Sequence, residues 1–238
     1  MKLLTAVIAT LVVFSALSCA TPDPVRRFPG MVADMNPIPI GPVYAILDRP
    51  MGRGLNTVSA EAVFHPRLNS VSLEFRYGFV TYRQFWDETG RRHFAAALER
   101  YNEDFNARNL TNRHRRTRNA YGSVNGRLEW QTARFTTNNV SYPVIEIGYR
   151  FRENSPFFTT LTRTAMSEET LTSGSGRTES RQILMYFTRA QAADLVRIFD
   201  QAFLMGLVEM YGVRGHVEPL PVDEFYELTD EQAWLIDS

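Results

Sequence analysis

Four histidines and one run of basic residues are the side chains of this sequence with the clearest potential for chemistry. The histidines fall at irregular intervals and do not show the H-E-x-x-H or H-x-x-x-H spacing that would place two imidazoles on one metal ion. A G-x-S-x-G elbow, a dinucleotide-binding glycine pattern and a phosphate-binding P-loop are also lacking. The sequence therefore predicts no metal site, no cofactor and no recognisable catalytic centre. The histidines are His65, His93, His114 and His216.

The basic run lies within residues 108–118 and is the densest concentration of charge on the chain. Arginine stays charged and binds carboxylates or phosphates through paired hydrogen bonds. The run predicts an anion site for a lipid headgroup, a polyanionic glycan or an acidic partner, and it also fits a solvated loop. Nucleic acid is not an expected partner, because the chain has no net charge. The residues of the predicted anion site are Arg113, Arg115, Arg116 and Arg118.

Carboxylates on the predicted strands supply the remaining catalytic hypothesis. Glu129 and Glu146 could perform the acid–base work of a hydrolase if their strands brought them to a working separation. Cross-strand ion pairs with nearby arginines would explain the same residues without any ligand. Lysine chemistry such as a Schiff base is excluded from the body of the protein, because Lys2 is the only lysine. The polar residues expected on the strand faces opposite the core are Glu74, Arg76, Arg127, Glu129, Gln131, Glu146, Arg150 and Arg163.

Cys19 is the only cysteine and follows an apolar leader. Lys2 begins this leader, and residues 3–17 form an apolar run too short to cross a bilayer, as is typical of a secretory signal peptide. The small residues around Cys19 resemble the lipobox of bacterial lipoproteins, although Ala16 stands where leucine is usual. The resemblance implies a palmitate-bearing membrane anchor at Cys19 and a domain facing the periplasm. Because Ala20 is not the aspartate that retains lipoproteins at the inner membrane, the resemblance favours the outer membrane.

Ordinary signal-peptidase cleavage, which would leave an unanchored exported protein, is the alternative. Lipidation would consume the only thiol, so the domain is expected to fold without a disulfide or a cysteine nucleophile.

Prolines and acidic residues divide the remainder of the chain. Seven of the twelve prolines lie within residues 21–50, which predicts an extended tether. The segment from His216 onward has seven acidic residues, no Lys or Arg, and an apolar end at Trp234, Leu235 and Ile236. The predicted organisation is a signal peptide over residues 1–18, a lipidated cysteine and tether over 19–56, a domain over 57–215 and an acidic tail over 216–238.

Alternating apolar residues predict six strands between residues 58 and 187. Two T-x-x-Q motifs, at Thr81–Gln84 and Thr188–Gln191, each precede apolar residues at helical spacing and predict the starts of two helices. The expected fold is α+β, an antiparallel sheet of about five or six strands with two main helices packed on one face. No motif assigns the mature domain to a known family. The sequence favours a non-catalytic envelope lipoprotein that binds a partner or ligand, with an exported hydrolase as the alternative.

Overall fold

The computed structural model describes residues 30–48, 55–112, 117–132, 138–152, 154–168 and 178–213. Within these residues the chain forms ten antiparallel strands, which curl into a half-barrel, and three helices. The prediction of five or six strands with two helices on one face is therefore wrong. The strands are β1 (Ile38–Asp48), β2 (Leu55–His65), β3 (Ser70–Tyr77), β4 (Val80–Trp86), β5 (Ser123–Asn125), β6 (Arg127–Thr132), β7 (Asn139–Ser141), β8 (Val144–Arg152), β9 (Ser155–Thr162) and β10 (Ile183–Phe187). The helices are α1 (Glu88–Asn106), α2 (Arg189–Phe199) and α3 (Gln201–Val213), and a single 3-10 turn covers Thr117–Asn119.

The curl of the sheet follows from its strand order, β5-β8-β9-β10-β1-β2-β3-β4-β6-β7. Strands β5 and β6 lie near opposite ends of this order but are separated in the chain only by Gly126. The two ends of the sheet must therefore approach each other. Gly126 permits this close approach, because a Cβ atom there would lie 2.4 Å from Cδ1 of Ile145.

Strand β1 explains part of the error in the predicted strand number. Residues 38–48 fall within the predicted tether, although their apolar character also allows them to lie along the domain, and they pair along their length with β2. Strand β10 lies on the other side of β1 and pairs only with Ile46 and Leu47. Pro39 and Pro42 therefore lie in a part of β1 that has no partner on that side. A bulge between Pro39 and Gly41 also interrupts the ladder, and such positions tolerate the missing proline N–H.

The first T-x-x-Q motif was wrongly predicted to begin a helix. Thr81 and Gln84 belong to β4, and Gln84 is fully buried and donates from Nε2 to Oγ1 of Thr162 at 3.1 Å. Helix α1 begins instead after Asp87, whose carboxylate accepts a hydrogen bond from the backbone N–H of Gly90 at 2.7 Å. Because Gln84 on β4 reaches Thr162 on β9 across the sheet, the inner face must be concave.

The second T-x-x-Q motif is confirmed as a helix start. The Thr188 hydroxyl accepts from the N–H of Gln191 at 3.2 Å, and the Gln191 side chain accepts from the N–H of Thr188 at 2.9 Å. The apolar spacing after Thr188 predicts one helix that stops near Gly212, but Asp200 adopts an extended conformation that ends α2. The Asp200 carboxylate then accepts from the N–H of Phe203, which starts α3 as a third helix.

The core lies between the inner face of the sheet and helices α1 and α2. Phe94 of α1 has no exposed surface and packs against four other rings. Those rings come from β4, β9, β10 and α2, so one side chain joins the sheet to both helices. They are Trp86, Phe158, Phe187 and Phe199, with centroid distances from Phe94 of 5.2 to 6.0 Å. In the described part of the chain, none of the helices is long and apolar enough to cross a membrane.

Candidate functional site

Charged side chains on the outer face of the sheet form an ion-pair network across β3, β4 and β6. The network consists of Glu74, Arg83, Glu129 and Arg127. Strand register places Glu74 opposite Arg83 and Arg83 opposite Glu129. Arg83 donates to Glu74 at 2.7 Å and to Glu129 at 3.4 Å, and Arg127 also pairs with Glu129. Cross-strand ion pairs are thus confirmed for Glu74 and Glu129, and at such partly exposed positions each contributes little to stability.

An aromatic and polar row lies beside the ion-pair network. The Arg127 guanidinium sits 4.9 Å from the ring centre of Phe85, and the His65 imidazole lies 5.2 Å from the same ring. Nε2 of His65 is 2.8 Å from the hydroxyl oxygen of Ser72. Burial, together with the positive charges of Arg83 and Arg127, lowers the pKa of His65 to about 4. His65 is therefore neutral at neutral pH.

The geometry of these residues does not suit nucleophilic catalysis at Ser72. Its side chain is 1% exposed, so a substrate could not approach the hydroxyl that contacts His65. The two glutamates of the hydrolase hypothesis also bind different arginines. Glu129 binds Arg83 and Arg127, whereas Glu146 accepts from Arg163 at 2.7 Å. The two carboxylates are thus engaged in separate ion pairs, with no arginine shared between these pairs.

Acid is expected to destabilise the domain through His65. Between pH 6.5, the usual pKa, and about 4, the unfolded chain binds a proton at this residue that the folded chain does not. The free energy of unfolding should therefore fall as the pH decreases through this range, by about 2 kcal/mol between about pH 7 and pH 5. Urea unfolding at these two pH values measures the loss. His65→Gln should remove it while His93→Gln keeps it, and equal losses in all three proteins would contradict the assignment.

The residues of the predicted anion site lie largely outside the described structure. Arg113, Arg115 and Arg116 are not described, and Arg118 is described only by its backbone in the 3-10 turn. Cys19, too, lies outside the described residues. The structure neither brings the four arginines together nor separates them, so the anion site stays a prediction.

Tyrosines hold both ends of the segment that contains these arginines. Before the run, the Tyr149 hydroxyl lies 3.4 Å from the backbone oxygen and nitrogen of Thr111. After it, the Tyr121 hydroxyl donates to the Asp104 carboxylate at 2.9 Å. Burial and this negatively charged acceptor raise the pKa of Tyr121, and burial raises that of Tyr101 to about 12. The Tyr121 phenol therefore remains a protonated donor that fastens the chain after the run to α1, and the Tyr101 phenol likewise donates to the backbone oxygen of Pro156 in β9 at 3.0 Å.

Helix α3 presents an apolar surface that the sequence analysis did not identify. Phe203 and Met210 are 39% and 50% exposed, and Gly206 lies between them at a spacing that places all three on one side of the helix. Ala202 is exposed on the same side, and Glu209, which is also exposed, lies at the edge of this side, two turns after Ala202. We name Ala202, Phe203, Gly206 and Met210 the α3 face.

One signal of the α3 face was present in the sequence. Residues 201–213 contain a single charged residue, Glu209. A helix that is apolar on nearly every side is expected to be buried on nearly every side. The buried side of α3 is supplied by Leu204, which has no exposed surface, and the helix packs mainly against α2. Because the apolar residues after Thr188 fit a single helix with one apolar side, their pattern does not predict a second, exposed apolar side.

Among the residues that the structure describes, no group of three or more His, Cys, Asp or Glu side chains could hold a metal ion.

Comparison with known proteins yields one relationship. Neither a curated protein nor a solved structure matches the chain. A family model described as an uncharacterised Treponema protein matches residues 45–206, from within β1 to the middle of α3. The chain therefore belongs to this family of uncharacterised Treponema proteins.

Proposed function

We propose that the chain is an exported envelope lipoprotein whose domain binds a protein partner through the α3 face and performs no catalysis. The observation that supports binding is the exposure of Phe203 and Met210 on a helix with one charged residue. A contiguous exposed apolar surface is characteristic of interaction sites, whereas single exposed apolar residues are ordinary. The partner chemistry that fits is an apolar segment able to lie along one helix.

The other two helices provide an internal comparison for this surface. The outward sides of α1 and α2 carry charged residues, among them Arg92, Glu99, Arg100, Asp194 and Arg197. Such sides are typical of helices that face water. Since α3 differs from both neighbours in the same domain, the composition of the whole protein does not explain its apolar side. A binding surface on α3 would explain it.

Photocrosslinking tests the proposed partner. A photoreactive amino acid at Phe203 in the full, membrane-attached chain should give a discrete protein adduct, because the partner would contact this ring. The same group at Ala193, which is exposed on α2, provides the control and should give none. Adducts at neither position or at both would contradict the proposal. An adduct of twice the chain mass would identify a second copy, and an adduct with lipid would identify the membrane surface instead.

Membrane attachment through Cys19 is a separate part of the proposal. It is supported by the apolar leader, by the lipobox resemblance and by the position of the single cysteine. Intact mass of the protein purified from membranes should show a lipid adduct, and Cys19→Ser should release the chain from the membrane fraction. A natural protein without lipid, or a variant that stays attached, would show that this part is wrong. No described contact favours the hydrolase alternative.

A further inference from the structure

We infer that, in the absence of a partner, the chain's own C-terminal segment 214–238 covers the α3 face with Trp234, Leu235 and Ile236. The inference rests on the proposed function, because it concerns how access to the same binding surface is controlled. A partner would then have to displace this segment. The segment would act as an internal competitor that keeps an apolar surface out of water until the partner arrives.

The shape of the α3 face suits a large apolar side chain. A Cβ atom at Gly206 would meet no atom within 4 Å, so the centre of the face is an open, shallow position. Phe203 lies one turn before it and Met210 one turn after it. An indole ring over Gly206 would contact an aromatic ring on one side and a thioether on the other, and both contacts are favourable.

The length of the C-terminal segment allows this contact. The segment begins directly after Val213, the last residue of α3, and places Trp234 near its end. The path back from Val213 to Gly206 is about 10 Å along the helix axis. The residues that separate Val213 from Trp234 could span up to roughly 66 Å when extended. The segment is therefore long enough for Trp234 to contact the α3 face.

Attachment to α3 also favours the segment over a separate molecule. A peptide tethered beside its binding surface experiences an effective concentration in the millimolar range. A free copy of the chain would have to bind without this advantage. The chain's own segment is thus the occupant that the geometry favours.

Disulfide trapping in the full chain tests the inference. Cys19→Ser removes the only native thiol, and Gly206→Cys with Leu235→Cys then places one thiol on the α3 face and one in the segment. Mild oxidation should form a bridge within one chain, independent of protein concentration and at least about fivefold faster than in the control. The control pairs Leu235→Cys with Ala193→Cys on α2. Equal rates in the two proteins would overturn the inference.

The Cys19→Ser chain that carries Gly206→Cys as its single thiol tests whether a second copy occupies the α3 face. If it oxidises readily to a covalent dimer, a second copy lies on the α3 face and the inference is wrong. Fluorescence quenching provides a measurement without engineered thiols. Trp86 and Trp130 are 2% and 6% exposed, so a change in quenching by acrylamide on Phe203→Asp reports mainly on Trp234. Quenching should rise in this variant, and unchanged quenching would count against docking.

Failure of the inference can be told from failure of the proposed function. A partner adduct at Phe203 without an intramolecular bridge would leave the function standing and overturn the inference. A bridge without any partner adduct would make the α3 face an internal packing surface and overturn the function. If both hold, Leu235→Asp should raise the yield of the partner adduct at least about threefold, because the internal competitor is removed.

Discussion

Replacing Arg91 by Met is expected to lower the free energy of unfolding by at least about 3 kcal/mol. Arg91 is 2% exposed, and its guanidinium donates to five oxygen atoms rather than to a carboxylate. Methionine fills a similar volume but donates nothing, so these buried acceptors would lose their hydrogen bonds. Each such loss costs about 1–3 kcal/mol. Equilibrium unfolding in urea measures the effect.

The five acceptors explain why the effect should be large. Arg91 donates to the backbone oxygen of Asn69 at 2.6 Å and to its side-chain oxygen at 3.0 Å. It also donates to the backbone oxygens of Trp86 and Phe199 and to the Gln201 side chain at 2.6 Å. One side chain thus joins the β2–β3 turn, the end of β4 and the junction between α2 and α3. Loss of Arg91 should therefore also loosen α3 and weaken the adduct at Phe203.

The adjacent residue provides a matched control. The Arg92 side chain is 73% exposed and lies 3.7 Å from Glu88, a contact of the kind that contributes little in water. Arg92→Met should change the free energy of unfolding by no more than about 0.5 kcal/mol. Arg91→Lys keeps the charge but not the forked set of donors and should still be destabilising. Equal stability of the Arg91 and Arg92 variants would contradict the role given to Arg91.

Replacing Phe94 by Ala is expected to cost about 3–5 kcal/mol, because it leaves a cavity among four rings that cannot all close on it. Phe94 has no exposed surface, and edge-on contacts join it to Trp86, Phe158, Phe187 and Phe199. Such contacts are lost in addition to the buried area. The same urea experiment measures the cost, and near-ultraviolet circular dichroism should show looser packing of the aromatic side chains.

An exposed phenylalanine provides the control for Phe94. Phe79 stands at the turn between β3 and β4 and is 73% exposed. Phe79→Ala should leave the free energy of unfolding within about 0.5 kcal/mol of the natural protein. Phe94→Leu, which removes less volume, should fall between the two. A small effect at Phe94 would mean that the helices and the sheet do not share the core described above.

Two predictions that rest on neighbouring residues are confirmed by the structure. The capping box at Thr188 works within four residues, so its hydrogen bonds form wherever the helix packs. The alternation that predicted β3 is equally local, since side chains on a strand point alternately to its two faces. The same alternation placed Glu74 and Glu129 on a face where arginines of adjacent strands could reach them.

Signals that depend on distant partners were misread. Thr81 and Gln84 have the spacing of a helix cap, but Gln84 points into the core of the curled sheet and bonds to Thr162, 78 residues away. Two prolines made β1 resemble a tether, and only the pairing with β2 shows that their missing N–H groups fall where β10 offers no partner. The sequence could not show either fact, because both depend on which strand lies alongside.

The features of the α3 face can also be sorted into those visible in the sequence and those visible only in the structure. The order of residues is enough to show that residues 201–213 are largely apolar, that Cys19 is the single thiol and that the segment from His216 onward is acidic with an apolar end. Packing of the helices is needed to show that Leu204 is the buried side of α3 and that Phe203 and Met210 face outward. Likewise, Arg91 and Arg92 are identical neighbours in the sequence. One is enclosed and one faces water, because Arg91 points to the junction of α2 and α3, where Phe199 and Gln201 accept its hydrogen bonds, whereas Arg92 points to solvent beside Glu88.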